Sequence, residues 1–347
     1  MSVISSAFLW LVNFIPISIV QGTPLLFGST GEIITEKSGN LNLGIPGIMY
    51  MGGVSGIIGA FFYEKFAGDN YIGAVAVLIS TLCALLGSAL LSGIYSVLTI
   101  TFKANQNVTG LALSTFGMGM GTFFGGSLAQ LFGEGGSLSV KRTSDLFRLT
   151  IFDYASTKGN VFDNPNGFLG VIGRLFLDYG FLVYVAIILA LIASFLLNKT
   201  RVGLHLRSVG ENPATADAAG ISVTKYKYLA TVIGGAVAGL GGLYYIMDYN
   251  CGTWSSGGFG DRGWLAIALV IFALWKPKSA IWGSFVFGGL YVLSAYLNLG
   301  ENRALQRLVM MLPYVVTLVV LIITSMRKKR EHQPPESLGL PYFREER

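Results

Sequence analysis

A chain of 347 residues that is 52% hydrophobic and only 12% charged, with a mean hydropathy of +0.61, is excluded from the soluble domains, which carry about 25% charged residues. Its net charge of +6 reports membrane topology rather than a nucleic-acid partner, because the basic residues of polytopic proteins gather on one side of the bilayer. Two cysteines (Cys83, Cys251) and two isolated histidines (His205, His332) fit neither a disulfide framework nor a metal site.

The fold class expected is all-α, a polytopic membrane bundle. A span needs about 20 apolar residues. Windows free of Asp, Glu, Lys and Arg predict about nine spans, within a range of eight to ten, near 8–27, 44–63, 72–102, 108–128, 179–198, 228–247, 264–275, 279–297 and 308–326. The first thirty residues lack the basic flank of a secretory signal, so the start reads as a retained span. The seventh window is too short to cross alone, and the Gly-rich stretch before it is expected to dip into the membrane.

Lysine and arginine set the orientation. Placing the central polar stretch and the C-terminal tail on one side gathers fifteen of the 24 basic residues there. Five of the other nine lie in the long 129–178 loop, which counts little in this rule. The reading is a membrane domain over 1–326, an extracytoplasmic loop at 129–178, a cytoplasmic region at 199–227 and a cytoplasmic tail at 327–347, with the N-terminus outside. The loop is suited either to receive a binding protein or simply to be solvated. The tail opens with a basic RKKR run and continues through Pro334 and Pro335, which predicts a headgroup anchor on membrane lipid followed by a flexible end.

Two Gly-rich polar turns interrupt the hydrophobic pattern, at 36–47 (EKSGNLNLGIPG) and 255–269 (SSGGFGDRGWLAIAL). Their placement on opposite sides suggests an inverted repeat with discontinuous helices around a central pathway; tight helix packing by glycine is the plainer alternative.

Between the fifth and sixth windows lies the one moderate-length charged stretch, 201–227. Asn212 suits a helix N-cap, Pro213 the first helical position, and Gly220 the residue that stops the helix. Ala214, Thr215, Ala216, Asp217, Ala218 and Ala219 fill the two turns between. A short capped helix held between basic flanks has the form of a docking element, although a plain connector would look similar.

The segment LRSVGENPATADAAGISV resembles the coupling-helix segment of permease subunits of ATP-binding-cassette (ABC) importers, nearest to the nucleoside branch. The resemblance continues through GEIITEKSGNLNLGIPGIM, ANQNVTGLALSTFGMG, GFGDRGWLAIALVIFALWKPKSAIWGS and MLPYVVTLVVL, in order over almost the whole chain. It departs at Pro46, where an acidic residue is usual, and at Ala273-Leu274, where glycine is commoner.

The resemblance implies half of a type II importer in a bacterial cytoplasmic membrane. Its partners would be a second homologous permease, a cytosolic ABC ATPase and a substrate-binding lipoprotein, with no nucleic acid involved. No P-loop occurs, so ATP and Mg would bind the ATPase, leaving this chain without a cofactor or catalytic site. The coupling residues implied are Arg207, Gly210, Glu211, Asn212, Pro213, Ala214, Ala216, Asp217, Ala219 and Gly220. Within them, Glu211 and Asp217 would pair with basic groups of the ATPase, while Arg207 and Glu211 could pair internally one turn apart.

Polar residues in apolar surroundings are the pathway candidates: Asn40, Asn42, Asn105, Gln106, Asn107, Thr109 and Asp261. Amides offer the donors and acceptors that a nucleobase or ribose needs, though capping and interhelical bonds are their commoner use. Permeases for ribose-like sugars or branched-chain amino acids share the architecture and stand as alternatives. An ion-coupled secondary transporter would need ionisable groups within spans, and Glu32, Glu36, Asp248 and Asp261 fall only near predicted span edges. No HExxH, acidic metal motif or paired nucleophile and base supports an enzyme.

Overall fold

The computed structural model describes residues 3–127, 130, 137–150, 168–297, 303–327 and 333–344. Much of the 129–178 loop and the 328–332 run therefore lie outside the described residues. The described chain is helical: α1 (Val3–Glu36), α2 (Ile45–Ala67), α3 (Gly73–Ser96), α4 (Gln106–Thr122), α5 (Lys141–Phe147), α6 (Phe168–Phe176), α7 (Phe181–Lys199), α8 (Arg201–Glu211), α9 (Pro213–Ala218), α10 (Val223–Tyr244), α11 (Arg262–Phe272), α12 (Pro277–Tyr296), α13 (Arg303–Met310) and α14 (Leu312–Arg327). Among the described residues the only β pairing is two isolated bridges.

All nine predicted windows carry a helix. Among the described residues, five helices are long and apolar enough to cross a membrane: Trp10–Glu36, Ile45–Asn70, Gly73–Thr101, Phe181–Lys199 and Val223–Tyr249. A sixth crossing is supplied by α13 and α14 if they count as one span bent by 42°. Three helices, α3, α4 and α10, run on through single π-helical turns, a distortion frequent at functional sites. With 11 residues, α11 is short, as its apolar window predicted.

The centre of the bundle is α1, α2 and α10, flanked by α3 and α12. Lipid gives helices no hydrophobic drive toward one another, so close packing of small residues must hold them. The α2–α10 crossing shows how: a Cβ at Gly52 would come within 2.5 Å of Gly239 Cα, so the two backbones touch directly. On the outside, Leu78, Leu82, Leu86, Leu90 and Ile94 form an exposed stripe along α3 at the helical repeat. That stripe suits lipid tails.

Ionisable residues placed at span edges by the sequence lie deeper than expected. Glu32 is 0% and Glu36 3% exposed, both on the last turns of α1, because the 37–44 turn folds back over them. The described part of the 129–178 loop is also more than solvated chain. Thr143 donates to Glu64 Oε1 from its N–H at 2.8 Å and its hydroxyl at 2.6 Å, and Ser144 Oγ donates to Met247 O at 2.7 Å. These bonds fasten α5 over the C-terminal ends of α2 and α10.

Candidate coupling site

The short helix forms where the sequence placed it. Asn212 Oδ1 accepts from Thr215 N at 3.0 Å, and Pro213 takes the first turn. At the other end Gly220 N donates to Asp217 O at 2.9 Å and Ile221 N to Ala216 O at 3.0 Å. This pair of bonds is a Schellman motif, which needs a left-handed residue at Gly220 (φ +82°). Ala216 is buried with Val209 and Val223 in a small apolar cluster, while Glu211, Asn212, Ala214, Ala219 and Gly220 are exposed. Asn212→Ala should remove the cap at about 1 kcal/mol, and faster amide exchange confined to 213–218 would report it.

Seated immediately before it, α8 extends the helical region back to Arg201, so Arg207 and Glu211 lie one turn apart as expected. Gly210 is the point where this region meets the membrane core. A Cβ there would fall 3.1 Å from Gly39 N and 3.0 Å from the Lys37 carbonyl carbon. The backbones of α8 and the α1–α2 turn are therefore in contact. At this junction burial pushes the Lys37 ammonium below its ordinary pKa, and Glu211 opposes that shift.

Beyond the junction the turn carries a buried polar cluster. Asn42 N–H donates to Glu32 Oε1 at 3.1 Å, and Asn42 Oδ1 accepts from Gly44 N at 2.9 Å. Asn40 Nδ2 donates to Thr231 Oγ1 at 3.0 Å, and Leu41 N–H to Gln106 Oε1 at 2.7 Å. Tyr95 OH donates to Leu41 O, and Trp275 Nε1 to Glu36 Oε2. Three atoms of the cluster, Glu32 Oε2, Asn40 Oδ1 and Asn42 Nδ2, have no hydrogen-bond partner. Next to it opens a cavity of about 850 Å³, whose walls include Glu36, Leu41, Ile271, Trp275 and Leu338.

Three of the seven pathway candidates, Asn40, Asn42 and Gln106, come together here. The others do not. Asn105 is exposed and caps α4 by accepting from Val108 N at 3.1 Å; Thr109 bonds back to Asn105 O; Asn107 is exposed on α4. Asp261 is exposed at the start of α11, at the far end of that helix from Trp275. Its neighbour Arg262, which sequence reasoning passed over, is 4% exposed. Arg262 donates to Gln21 Oε1 at 2.9 Å and Phe259 O at 3.0 Å, and its guanidinium lies 4.7, 5.3 and 4.8 Å from the ring centres of Tyr245, Tyr249 and Tyr291. Gln21 is near the middle of the long apolar helix Trp10–Glu36, so α11 starts at that level of the bundle.

Both departures from the resembled family adjoin α11, Pro46 from α2 and Ala273-Leu274 at its C-terminal end. Gly263 packs on Pro46. Leu274 occupies the left-handed C′ position that ends α11, with φ +54°, where a non-glycine residue costs about 1–2 kcal/mol. Glycine would take that conformation without the penalty.

The tail departs from the flexible end that its prolines suggested. Ser337 donates from N (3.1 Å) and Oγ (2.5 Å) to Gly210 O. Tyr342 OH donates to Asp217 Oδ2 at 2.9 Å, and Arg344 Nε lies 3.1 Å from the same oxygen. Asp217, expected to be open to a partner's basic groups, is thus engaged by this chain's own tail. The aromatic residues of SLGLPYFREER were the available signal.

Comparison with known proteins agrees with this architecture. Residues 14–321 match the family model described as "Branched-chain amino acid transport system / permease component". The nucleoside ABC transporter permease NupC of Lactococcus lactis is 30% identical over 308 residues, covering 88% of this chain and 90% of that one. The guanosine ABC transporter permease NupQ of Bacillus subtilis is 30% identical over 341 residues, covering 96% and 97%. TsgC13 of Haloferax volcanii, provisionally named a glucose ABC transporter permease, is 28% identical over 347 residues, covering 94% and 96%. With a bundle of apolar helices, a family match over most of its length and relatives at this identity, the chain belongs to the ABC transporter permeases of the branched-chain amino acid permease-component family.

Proposed function

We propose that this chain is the membrane subunit of an ATP-driven importer of nucleosides. The observation that carries the substrate is the 30% identity to permeases named for nucleosides and guanosine, extending over 88% and 96% of the chain. The driving reaction belongs to a separate cytosolic ATPase that binds ATP and Mg, and α9 is its docking element. A substrate-binding lipoprotein delivers from outside, and a second homologous permease completes the pathway. The end of the bundle bearing α8, α9 and the tail is cytoplasmic, supported by the excess of Lys and Arg there; the start of α1 lies outside.

Force entering α9 passes through α8 to Gly210, and from Gly210 into the turn carrying Asn40 and Asn42. Moving that turn uncovers Glu32 Oε2, Asn40 Oδ1 and Asn42 Nδ2, two acceptors and a donor suited to a nucleobase edge or ribose. Asn107 stands apart from this cluster on an exposed face of α4, where an amide suits a pathway or a second subunit better than lipid. An importer of this design needs only weak affinity here, because the receptor supplies selection.

The test is the ATPase rate of the assembled transporter in nanodiscs, with receptor present, against a panel of purine and pyrimidine nucleosides, ribose, glucose and branched-chain amino acids. Several-fold stimulation by nucleosides alone is expected. Stimulation by a sugar or amino acid instead would move the substrate to a sister branch, and an ATPase indifferent to every solute would remove the coupling role.

A further inference from the structure

The cytoplasmic face offers more than α9. Residues 333–344 run across the coupling region at fixed points: Ser337 on Gly210, Tyr342 and Arg344 on Asp217, and Lys103 Nζ 4.0 Å from the centre of the Phe343 ring. Tyr342 also packs against the apolar cluster of Val209, Ala216 and Val223. While these contacts hold the backbone, they leave Leu340 60% and Phe343 38% exposed. Large apolar side chains held open outside a membrane, beside the exposed alanines of α9, form a surface that water does not favour.

We propose that the tail and α9 together form one composite docking surface for the cytosolic ATPase, with Leu340 and Phe343 its apolar part and Asp217 the internal tie that sets the tail in register. The proposal rests on the reading of α9 as the ATPase contact, with which this surface is continuous. The tie also accounts for Asp217: its charge, satisfied within the chain, serves to hold the tail instead of seeking a partner's cation. The Tyr342 hydroxyl supplies the tie to the largely buried Asp217 carboxylate, and the exposed Arg344 adds a solvent-screened ion pair.

A photo-crosslinking residue placed at Leu340, and separately at Ala218, in the assembled transporter tests the surface directly. Crosslinks to the ATPase from both positions are expected. A crosslink from 218 without one from 340 overturns the composite surface and leaves α9 as the contact; no crosslink from either removes both readings. A chain ending at residue 332 should retain about one fifth or less of its ATPase on co-purification. Leu340→Asp, which leaves the Ser337, Tyr342 and Arg344 anchors untouched, should reduce retention several-fold without altering the permease's own melting temperature. Full retention by both variants, or faster ATP hydrolysis by a transporter assembled with the shortened chain, would make the tail a bystander or a brake and end the proposal.

Discussion

Uptake should fall to background when residues 210–220 are exchanged for a flexible Gly/Ser loop, with the protein still present in the membrane. The exchange removes the Asn212 cap, the Pro213 start and the Ala216 contact together, so nothing rigid remains to transmit a push. A sharper version acts at the next joint. Gly210→Val would place its Cβ on the Lys37 and Gly39 backbone, and overpacking of this kind costs about 1–3 kcal/mol. That cost falls where the backbones of α8 and the α1–α2 turn meet, so at least a tenfold loss of uptake is expected while α9 still retains the ATPase. Normal uptake by either variant would show that force enters elsewhere. Gly220→Ala is the control. Nothing packs within 4 Å of a Cβ there, so only the left-handed backbone penalty of about 1–2 kcal/mol applies, and transport should persist.

Much of this joint was legible in the sequence because its signals are local. A capping residue, a proline at the first turn and a terminal glycine act within a few residues of each other, and α9 appears between them as expected. The nine apolar windows are local signals too. What sequence could not supply was the partner of each polar group. Glu32 and Glu36 are one helical turn apart and precede Asn40 and Asn42, yet only the folded-back turn brings Asn42 N–H to Glu32 and Trp275 to Glu36, 239 residues away along the chain. For the same reason Gln106, Asn105 and Asn107 looked alike as consecutive amides, although one seals the turn, one caps a helix and one is exposed. The tail shows the opposite error: prolines and charge suggested solvent, whereas Tyr342 and Ser337 had distant sites to bind.

Arg262 carries the second large expectation. Charges inside a bilayer are costly and persist where the surroundings satisfy them. Here a nearly buried guanidinium donates to the carbonyl oxygens of Gly258 and Phe259 and the Gln21 amide oxygen, and lies against three tyrosine faces. These groups come from α1, α10 with its π-helical turn, α12 and the approach to α11, so one side chain ties four segments at the point where α11 begins. Hydrogen bonds to a charged group are worth about 1.5–3 kcal/mol each and a desolvated cation–π contact about 2 kcal/mol, without simple additivity. Arg262→Ala should therefore destabilise the permease by about 3 kcal/mol or more, lower its melting temperature in detergent by several degrees and reduce uptake severely. Arg262→Lys, which keeps the charge and loses the planar fork, should fall between. Asp261→Ala is the matched comparison: its side chain is exposed and makes no capping bond to α11, so stability should be unchanged. A loss of uptake in that variant would then report on the pathway itself. Wild-type melting and uptake in Arg262→Ala would mean that the Gly-rich turn holds its position without the tyrosine cage, and that α11 is fixed from its Trp275 end, where the indole meets Glu36.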